Sequence, residues 1–390
     1  MIPYGKHHID EDDIQAVVQV LRSDYLTQGP IIEEFERAVA NYVGVKYAVA
    51  VSSGTAALHL ANLAAGVRPG CSAVTSPITF VASANSILYA GGNVLFADIE
   101  NDTLNMSPES LIDVFKNNKN IKAVIPVHFA GLPCDMAKIK QIADKHNAIV
   151  IEDAAHALGA SYPSGKKVGS CENSLMTMFS FHPVKAIAAG EGGMITTNNE
   201  IIYRKLLRLR SHGINKLNDS FILPEQGETN GIVDPWYYEM QELGFHYRIT
   251  DIQCALALSQ LKRLDSFISR RVDLARVYDA AFTKMKNCSP AQTEGRDRSG
   301  HHLYVLRINY DGIGVSRNQL MQNLRSRDIG SQVHYIPVPA HPFYRKLGFR
   351  PECYFNAQKY YQEALSIPLF FKLTDSQQKQ VIDAIAEIVG

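Results

Sequence analysis

Short apolar runs alternate with helical stretches through the first half of the chain, and this rhythm restricts the fold more than any other feature of the sequence. β-Branched or apolar runs fall at 47–51, 73–75, 94–97, 123–127, 149–151, 175–179 and 194–197. Helical patterns at 56–65, 80–88, 108–117 and 137–146 separate most of them. Such alternation predicts an α/β fold whose mostly parallel sheet is sandwiched by helices. Ligands of sheets of this kind collect beyond the carboxyl ends of the strands.

A loop containing Gly and Asn, 213–230, interrupts the rhythm, and a long helical stretch, 250–280, follows it. Its apolar positions Ile252, Ala255, Leu256, Leu258, Leu261, Leu264 and Ile268 recur near helical spacing, which reads as a connector to a smaller lobe. That lobe shows strands at 303–308 and 332–335 and helices near 317–325, 357–364 and 376–388. The expected division is a large domain at 1–250, including the N-terminal segment, and a small α+β C-terminal domain at 251–390. A chain of 390 residues that is 46% hydrophobic can bury cores of that size.

Charge and cysteine usage narrow the class. Lys+Arg and Asp+Glu number 39 each, so no net field recruits nucleic acid or an anionic membrane. Six scattered cysteines, with no C-x-x-C pair and no ligand-like spacing to histidine, point to reduced thiols and away from a metal site. The opening Met1-Ile2-Pro3-Tyr4-Gly5-Lys6 has no apolar core behind a basic cap, so neither a secretory leader nor a membrane span is expected, and the chain reads as a cytoplasmic enzyme.

The chemistry concentrates around one lysine. Ser180-Phe181-His182-Pro183-Val184-Lys185 follows a β-like run and precedes Gly190-Glu191-Gly192-Gly193, so Lys185 can reach into a strand-end cleft. Glu152-Asp153 ends the apolar run that begins at Ala148, and a carboxylate there can face the same cleft and hold a pyridinium N–H. Together they suggest pyridoxal phosphate chemistry, in which the protein supplies a Schiff-base lysine and an acidic partner for the ring nitrogen. Ser52-Ser53-Gly54-Thr55 lies between a strand and an Ala/Leu-rich helix. It is either a phosphate cradle at a helix N-terminus or a plain N-cap. No dinucleotide or P-loop fingerprint occurs. Phe80 could stack on a flat ring or pack in the core. His156, one helical turn beyond Asp153 if that segment is helical, could meet a phenolate oxygen or lie at the surface. Ser180 could touch the phosphate or be an ordinary turn residue.

These segments as an ordered set resemble the DegT/StrS family of nucleotide-sugar aminotransferases. The matching segments are Ser52 to Leu58, Glu152 to Ala157, Ser180 to Lys185, Gly190 to Gly193, Arg210-Ser211-His212-Gly213 and Tyr247 to Gln253, and the resemblance covers nearly the whole chain. The block Pro235 to Gly244 is most similar to the branch that aminates a UDP-linked 4-keto-6-deoxy-N-acetyl sugar on the route to pseudaminic acid. The resemblance implies a fold-type I homodimer with shared active sites, with L-glutamate and a UDP-linked keto sugar as partners. It implies that Lys185 carries the cofactor, Asp153 pairs with the ring nitrogen and Phe80 lies on the ring. Gly54, Thr55 and Ser180 would hold the phosphate, and His156 would approach the phenolic oxygen. Tyr4, Leu26, Thr27, Gln28, Gly29, Val333, His334 and Tyr335 would line the sugar-nucleotide site. One position departs from the pattern: His246 stands where the family usually has an Asn that reaches the partner's cofactor phosphate. Relatives that dehydrate sugars generally replace the Schiff-base lysine with histidine, so the retained Lys185 favours transamination. A regulator built on the same fold would need a DNA-binding module and a basic surplus, and the chain shows neither.

Overall fold

The computed structural model describes residues 1–216 and 220–389; of the loop expected at 213–230, residues 217–219 lie outside the described residues. Two helices come first, α1 (Glu11–Leu21) and α2 (Pro30–Val43). Asp10 and Asp13 cap α1 reciprocally, and α2 ends at Gly44, whose φ of 75° is the left-handed conformation that lets the chain turn off a helix. Strands and helices then alternate: β1 (Tyr47–Val51), α3 (Gly54–Ala64), β2 (Ser72–Thr75), α4 (Ala82–Tyr89), β3 (Asn93–Phe96), α5 (Pro108–Asn117), β4 (Ile121–Ile125), α6 (Met136–Lys145), β5 (Ile149–Asp153), β6 (Met176–Ser180), β7 (Gly193–Thr197) and α7 (Glu200–Arg210).

The strands form one seven-stranded sheet in the order β1-β7-β6-β5-β4-β2-β3. All neighbours run parallel except β7, which is antiparallel to both β1 and β6. An antiparallel pair needs no crossover helix. The connection from β6 to β7 can therefore stay at the carboxyl edge of the sheet, and it carries Lys185. Pleating sends alternate residues to opposite faces. Ala48 and Ala50 pack with α2, α5 and α6 on one side, whereas Val49 and Val51 pack with α3 and α4 on the other. Burial on both faces explains why these strands read as continuous apolar runs.

The helical stretch expected at 250–280 is broken at Lys262 and Arg263 into α8 (Asp251–Leu261) and α9 (Leu264–Phe282). Cys254, Ala257, Leu261 and Leu264 join the core under the large sheet, while Leu274, Tyr278 and Phe282 join a second core. The change of core therefore falls inside α9, downstream of the step expected at 250/251. The second core covers an antiparallel sheet of Cys288–Pro290, Tyr304–Ile308 and Ala364–Ile367, backed by helices Arg317–Ser326 and Asp375–Val389. Ile2 is buried in it and bridges to Ile329, and the Leu369 amide donates to the Tyr4 carbonyl (3.0 Å). The N-terminus is thus tied to the small lobe, which brings Tyr4 to the cleft.

One expected strand is corrected. Residues 332–335 make only a single bridge, Gln332 to Ser366, and then leave the sheet. The β-forming side chains Val333 and Tyr335 are used for packing around Phe129 and Tyr360 rather than for a ladder. Among the described residues no helix is long and apolar enough to cross a membrane.

Candidate active site

Strand β5 ends with two carboxylates that the pleat sends to opposite faces. Asp153 points into the cleft, where Ser83 Oγ donates to its Oδ2 (2.6 Å) and the Ala155 amide to its Oδ1 (3.1 Å). Ser83 has one proton and gives it to Asp153, so the Thr79 hydroxyl, 2.7 Å from Ser83 Oγ, is the donor in that pair. The result is a buried carboxylate oriented from α4 and still open toward a cavity of about 490 Å³.

That cavity is lined by Tyr4, Gly54, Thr55, Phe80, Asp153, His156, Ser180, Lys185, His334 and Tyr335, so ten of the residues singled out in the sequence converge. Ser180 closes β6, and Gly54 opens α3 beside it. A Cβ on Gly54 would lie 2.8 Å from the Ser180 Cβ, so the start of α3 and the end of β6 approach this closely only because the position is glycine. The Ser53 hydroxyl accepts from the Ala56 amide (3.1 Å), so the N-cap role is real for Ser53. It leaves the amides at the start of α3 to face the cavity as an anion site. Phe80 stands at the mouth, 60% exposed, in the turn that precedes α4.

Lys185 is the one Lys or Arg among the described residues that line this cavity. Burial lowers its amine to about 8, and the charge of Asp153 opposes the shift. A cofactor-free lysine so placed is about one-tenth neutral at pH 7, several hundred times more than a solvent lysine, and the neutral amine is the form that attacks an aldehyde. In cofactor-free protein the rate of reloading with pyridoxal phosphate should therefore rise with pH up to about 8 and level off above it, as read by absorbance in stopped flow. The stability of the same protein should rise with pH between about 8 and 10.5, where the unfolded chain binds a proton that the folded chain does not. A flat rate profile across pH 8 would mean that another amine is loaded.

His156 lies in a turn after β5, not on the helix that its spacing from Asp153 invites. Burial, then the charges of Lys185 and His334, hold its imidazole well below the usual histidine range. Nε2 is 3.2 Å from the Tyr335 hydroxyl, and Nδ1 is buried with no protein partner. His302 packs against it with ring centroids 4.4 Å apart, and its Nδ1 is also unpartnered. His302, Ser83 and Thr79 join the site without being marked by any of the sequence motifs. The signals present for them are the His301-His302 pair just before an apolar strand, Thr79 in the turn before α4, and Ser83 in its first turn.

The remaining expected residues lie elsewhere in the chain. Leu26 accepts from the Asp251 amide, and the Gly29 amide donates to the Asp251 carboxylate (2.9 Å). Gln28 lines a separate, basic cleft with Arg37, Lys46, Arg210 and Arg248. His246 is exposed beside His212, and Val333 packs among apolar side chains. None of these lines the Lys185 cavity of its own chain.

Residues 7–386 match the DegT/DnrJ/EryC1/StrS aminotransferase family. The chain belongs to that family. Over 390 residues it is 37% identical to the UDP-4-amino-4,6-dideoxy-N-acetyl-beta-L-altrosamine transaminase of Campylobacter jejuni, covering 100% of this chain and 98% of the relative. Helicobacter pylori PseC, an aminotransferase of pseudaminic acid biosynthesis, superimposes with a TM-score of 0.90 at 29% identity, over 100% of this chain and 99% of the other. Spr1654 from Streptococcus pneumoniae, solved in a PLP form, superimposes with a TM-score of 0.88 at 30% identity, over 100% of this chain and 98% of the other. This sugar aminotransferase uses pyridoxal phosphate, and the expected fold-type I architecture is the one observed.

The cleft suits that cofactor on its own terms. It offers an amine of lowered basicity, a braced carboxylate, an anion site at the start of α3 with Gly54 clearing the approach, and a buried imidazole nitrogen awaiting a partner.

Proposed function

We propose that this chain moves the amino group of L-glutamate to C4 of a UDP-linked 4-keto-6-deoxy-N-acetyl-hexosamine, UDP-2-acetamido-2,6-dideoxy-β-L-arabino-hex-4-ulose, on the route to pseudaminic acid. The observation that carries this reading is the end-to-end similarity to the Campylobacter jejuni transaminase. The cleft supports the reaction class, because Lys185, Asp153, His156 and the α3 cradle meet in one cavity.

Bound there, pyridoxal phosphate supplies an aldehyde for amine exchange and a ring that takes up the electrons freed when the Cα–H bond of the donor breaks. Asp153 keeps a proton on the ring nitrogen. Ser83 and the Ala155 amide hold that carboxylate in place. Gly54, Thr55 and Ser180 hold the phosphate. The Lys185 amine would take the Cα proton of glutamate and, in the reverse half of the cycle, would deliver a proton to C4 of the sugar. Over the full cycle glutamate leaves as 2-oxoglutarate, whose keto oxygen comes from a water, and the ketone oxygen of the sugar leaves as a water, so no water is gained or lost overall.

The reading includes a homodimer. Lys185 alone cannot neutralise a cofactor phosphate, a nucleotide diphosphate and the carboxylates of the donor. The separate cleft carries Arg37 and Arg248 beside Gln28, and the exposed apolar side chains Tyr25, Leu26, Trp236 and Tyr238 suit a contact between copies. In such a pair the cations, the 26–29 stretch and His246 of one copy would complete the cavity of the other.

Incubation with glutamate and a panel of UDP-, GDP- and dTDP-linked 4-keto-6-deoxy sugars, followed by mass spectrometry, tests the reading. The UDP-linked N-acetyl sugar should be aminated with a kcat/KM at least ~10-fold above the others. Preferential amination of a GDP- or dTDP-linked sugar would move the assignment to another nucleotide-linked keto sugar.

A further inference from the structure

The second carboxylate at the end of β5 is not needed by the chemistry described above, and its surroundings are unusual. Glu152 is fully buried, on the face of the sheet away from the cofactor cleft. Tyr162 OH donates to its Oε2 (2.5 Å), Ser174 Oγ to its Oε1 (2.5 Å) and Thr177 Oγ1 to its Oε1 (3.0 Å). His128 Nε2 lies 2.7 Å from Oε2. The tautomer of that histidine follows from its other nitrogen. The Cys134 amide, which can only donate, reaches Nδ1 at 3.2 Å, so the ring proton sits on Nε2 and His128 is a neutral donor.

Four donors converge on one carboxylate, and no cation is among its hydrogen-bonding partners. An acceptor-only group surrounded by donors is satisfied as the anion. Burial pushes the carboxyl of Glu152 upward, whereas the hydrogen bond from His128, the charge that ring would carry if protonated, and the Ser174 and Tyr162 hydroxyls pull it below the usual glutamate range. With the ring neutral, as the Cys134 amide on Nδ1 requires, the downward pull is that of the hydrogen bonds alone. The same network grips the backbone of Asp153. The His128 amide donates to the Asp153 carbonyl (3.0 Å), and the Asp153 amide donates to the Pro126 carbonyl (2.9 Å). One histidine thus braces both the main chain of Asp153 and the side chain of Glu152.

We propose that Glu152 is the positioning residue of the cofactor-nitrogen site: a buried negative charge, one residue behind Asp153, that makes the cleft favour a cation on the ring nitrogen. The inference rests on Asp153 being the partner of that nitrogen. Glu152 and Asp153 are adjacent in β5 and both are buried, with side chains on opposite faces, so the charge of Glu152 acts across a water-free strand end. There screening is weak, and a charge within roughly 10 Å changes the relative affinity for a cation by an order of magnitude.

A purely structural brace and a charge predict different results for a pair of cofactors. Cofactor-free wild type and Glu152→Gln are titrated with pyridoxal phosphate and with its 1-deaza analogue, which has the same shape but no ring nitrogen to protonate. If the charge of Glu152 acts on the ring, the preference for pyridoxal phosphate over the analogue falls about tenfold in the variant. If Glu152 only braces the strand, both dissociation constants rise together and an unchanged ratio overturns the proposal. Should Glu152→Gln yield no folded protein, Tyr162→Phe combined with Ser174→Ala removes two of the four donors and favours the protonated carboxyl. It should reproduce the loss of preference, and an unchanged ratio there overturns the proposal equally. Asp153→Asn is measured in parallel and should lose more of the preference than Glu152→Gln. An unchanged ratio in Asp153→Asn would strike the assignment of Asp153 rather than that of Glu152.

Discussion

Lys185→Ala should lower turnover by ~10⁴-fold or more, the upper end of the range for a positioned proton-transfer group, while the protein keeps its fold and still binds pyridoxal phosphate. The expectation follows from what the substitution removes and what it leaves. The main chain of this loop is held independently of the side chain, by the Lys185 amide on the His182 carbonyl (2.8 Å), the Ala189 amide on the Phe181 carbonyl (2.9 Å) and the Phe181 amide on the Gly192 carbonyl (2.9 Å). Asp153 and the start of α3 remain in place, so the cavity and its anion site persist. The amine is lost, and with it the group proposed both to anchor the cofactor covalently and to move the Cα proton. Borohydride reduction followed by peptide mapping should mark Lys185 in wild type and no residue in the variant. Added methylamine should restore a small part of the turnover by standing in for the missing amine. A borohydride label on a different lysine would sink the assignment.

Local signals carried most of the fold, and the reasons differ from element to element. Segments 47–51 and 108–117 were legible to the residue, since continuous apolar burial and Pro108 at a helix start are written in consecutive positions. Helices α1, α2 and α7 were not assigned from the sequence, although Asp10, Pro30 and Asn199 mark their starts. Residues 332–335 have β-forming side chains, but packing against Phe129 and Tyr360 overrides that preference. The site divides in the same way. Lys185, Asp153, Gly54 and Ser180 sit in motifs whose strand–turn geometry a sequence can show. Ser83 and His302 are single polar residues that only the folded chain brings to Asp153 and His156. The 26–29 stretch and His246 illustrate a further limit: a motif gives no indication of where in the folded chain its residues lie, and these lie outside the Lys185 cavity.

Asp153→Asn should cost at least ~10²-fold in turnover and leave the fold intact. The two side chains are nearly the same size, and the amide oxygen can keep accepting from Ser83 Oγ, now at 2.6 Å, or from the Ala155 amide, now at 3.1 Å, so the start of α4 has no reason to move. What changes is the charge. A carboxylate stabilises a proton on the ring nitrogen through a charge-assisted hydrogen bond, roughly twice as strong as the neutral bond that an amide offers. Without that proton the ring is a poor acceptor for the electrons of the Cα–H bond, so the loss should appear in kcat for the step that breaks this bond. A donor deuterated at Cα should then show a larger isotope effect on kcat in the variant than in wild type. Ser83→Ala separates charge from orientation. It removes the 2.6 Å donor but keeps the carboxylate, and it should cost less than Asp153→Asn. Near-normal turnover in Asp153→Asn would mean that the ring nitrogen is held by another group. A loss in Ser83→Ala as large as that in Asp153→Asn would mean that the orientation of Asp153, more than its charge, limits the reaction.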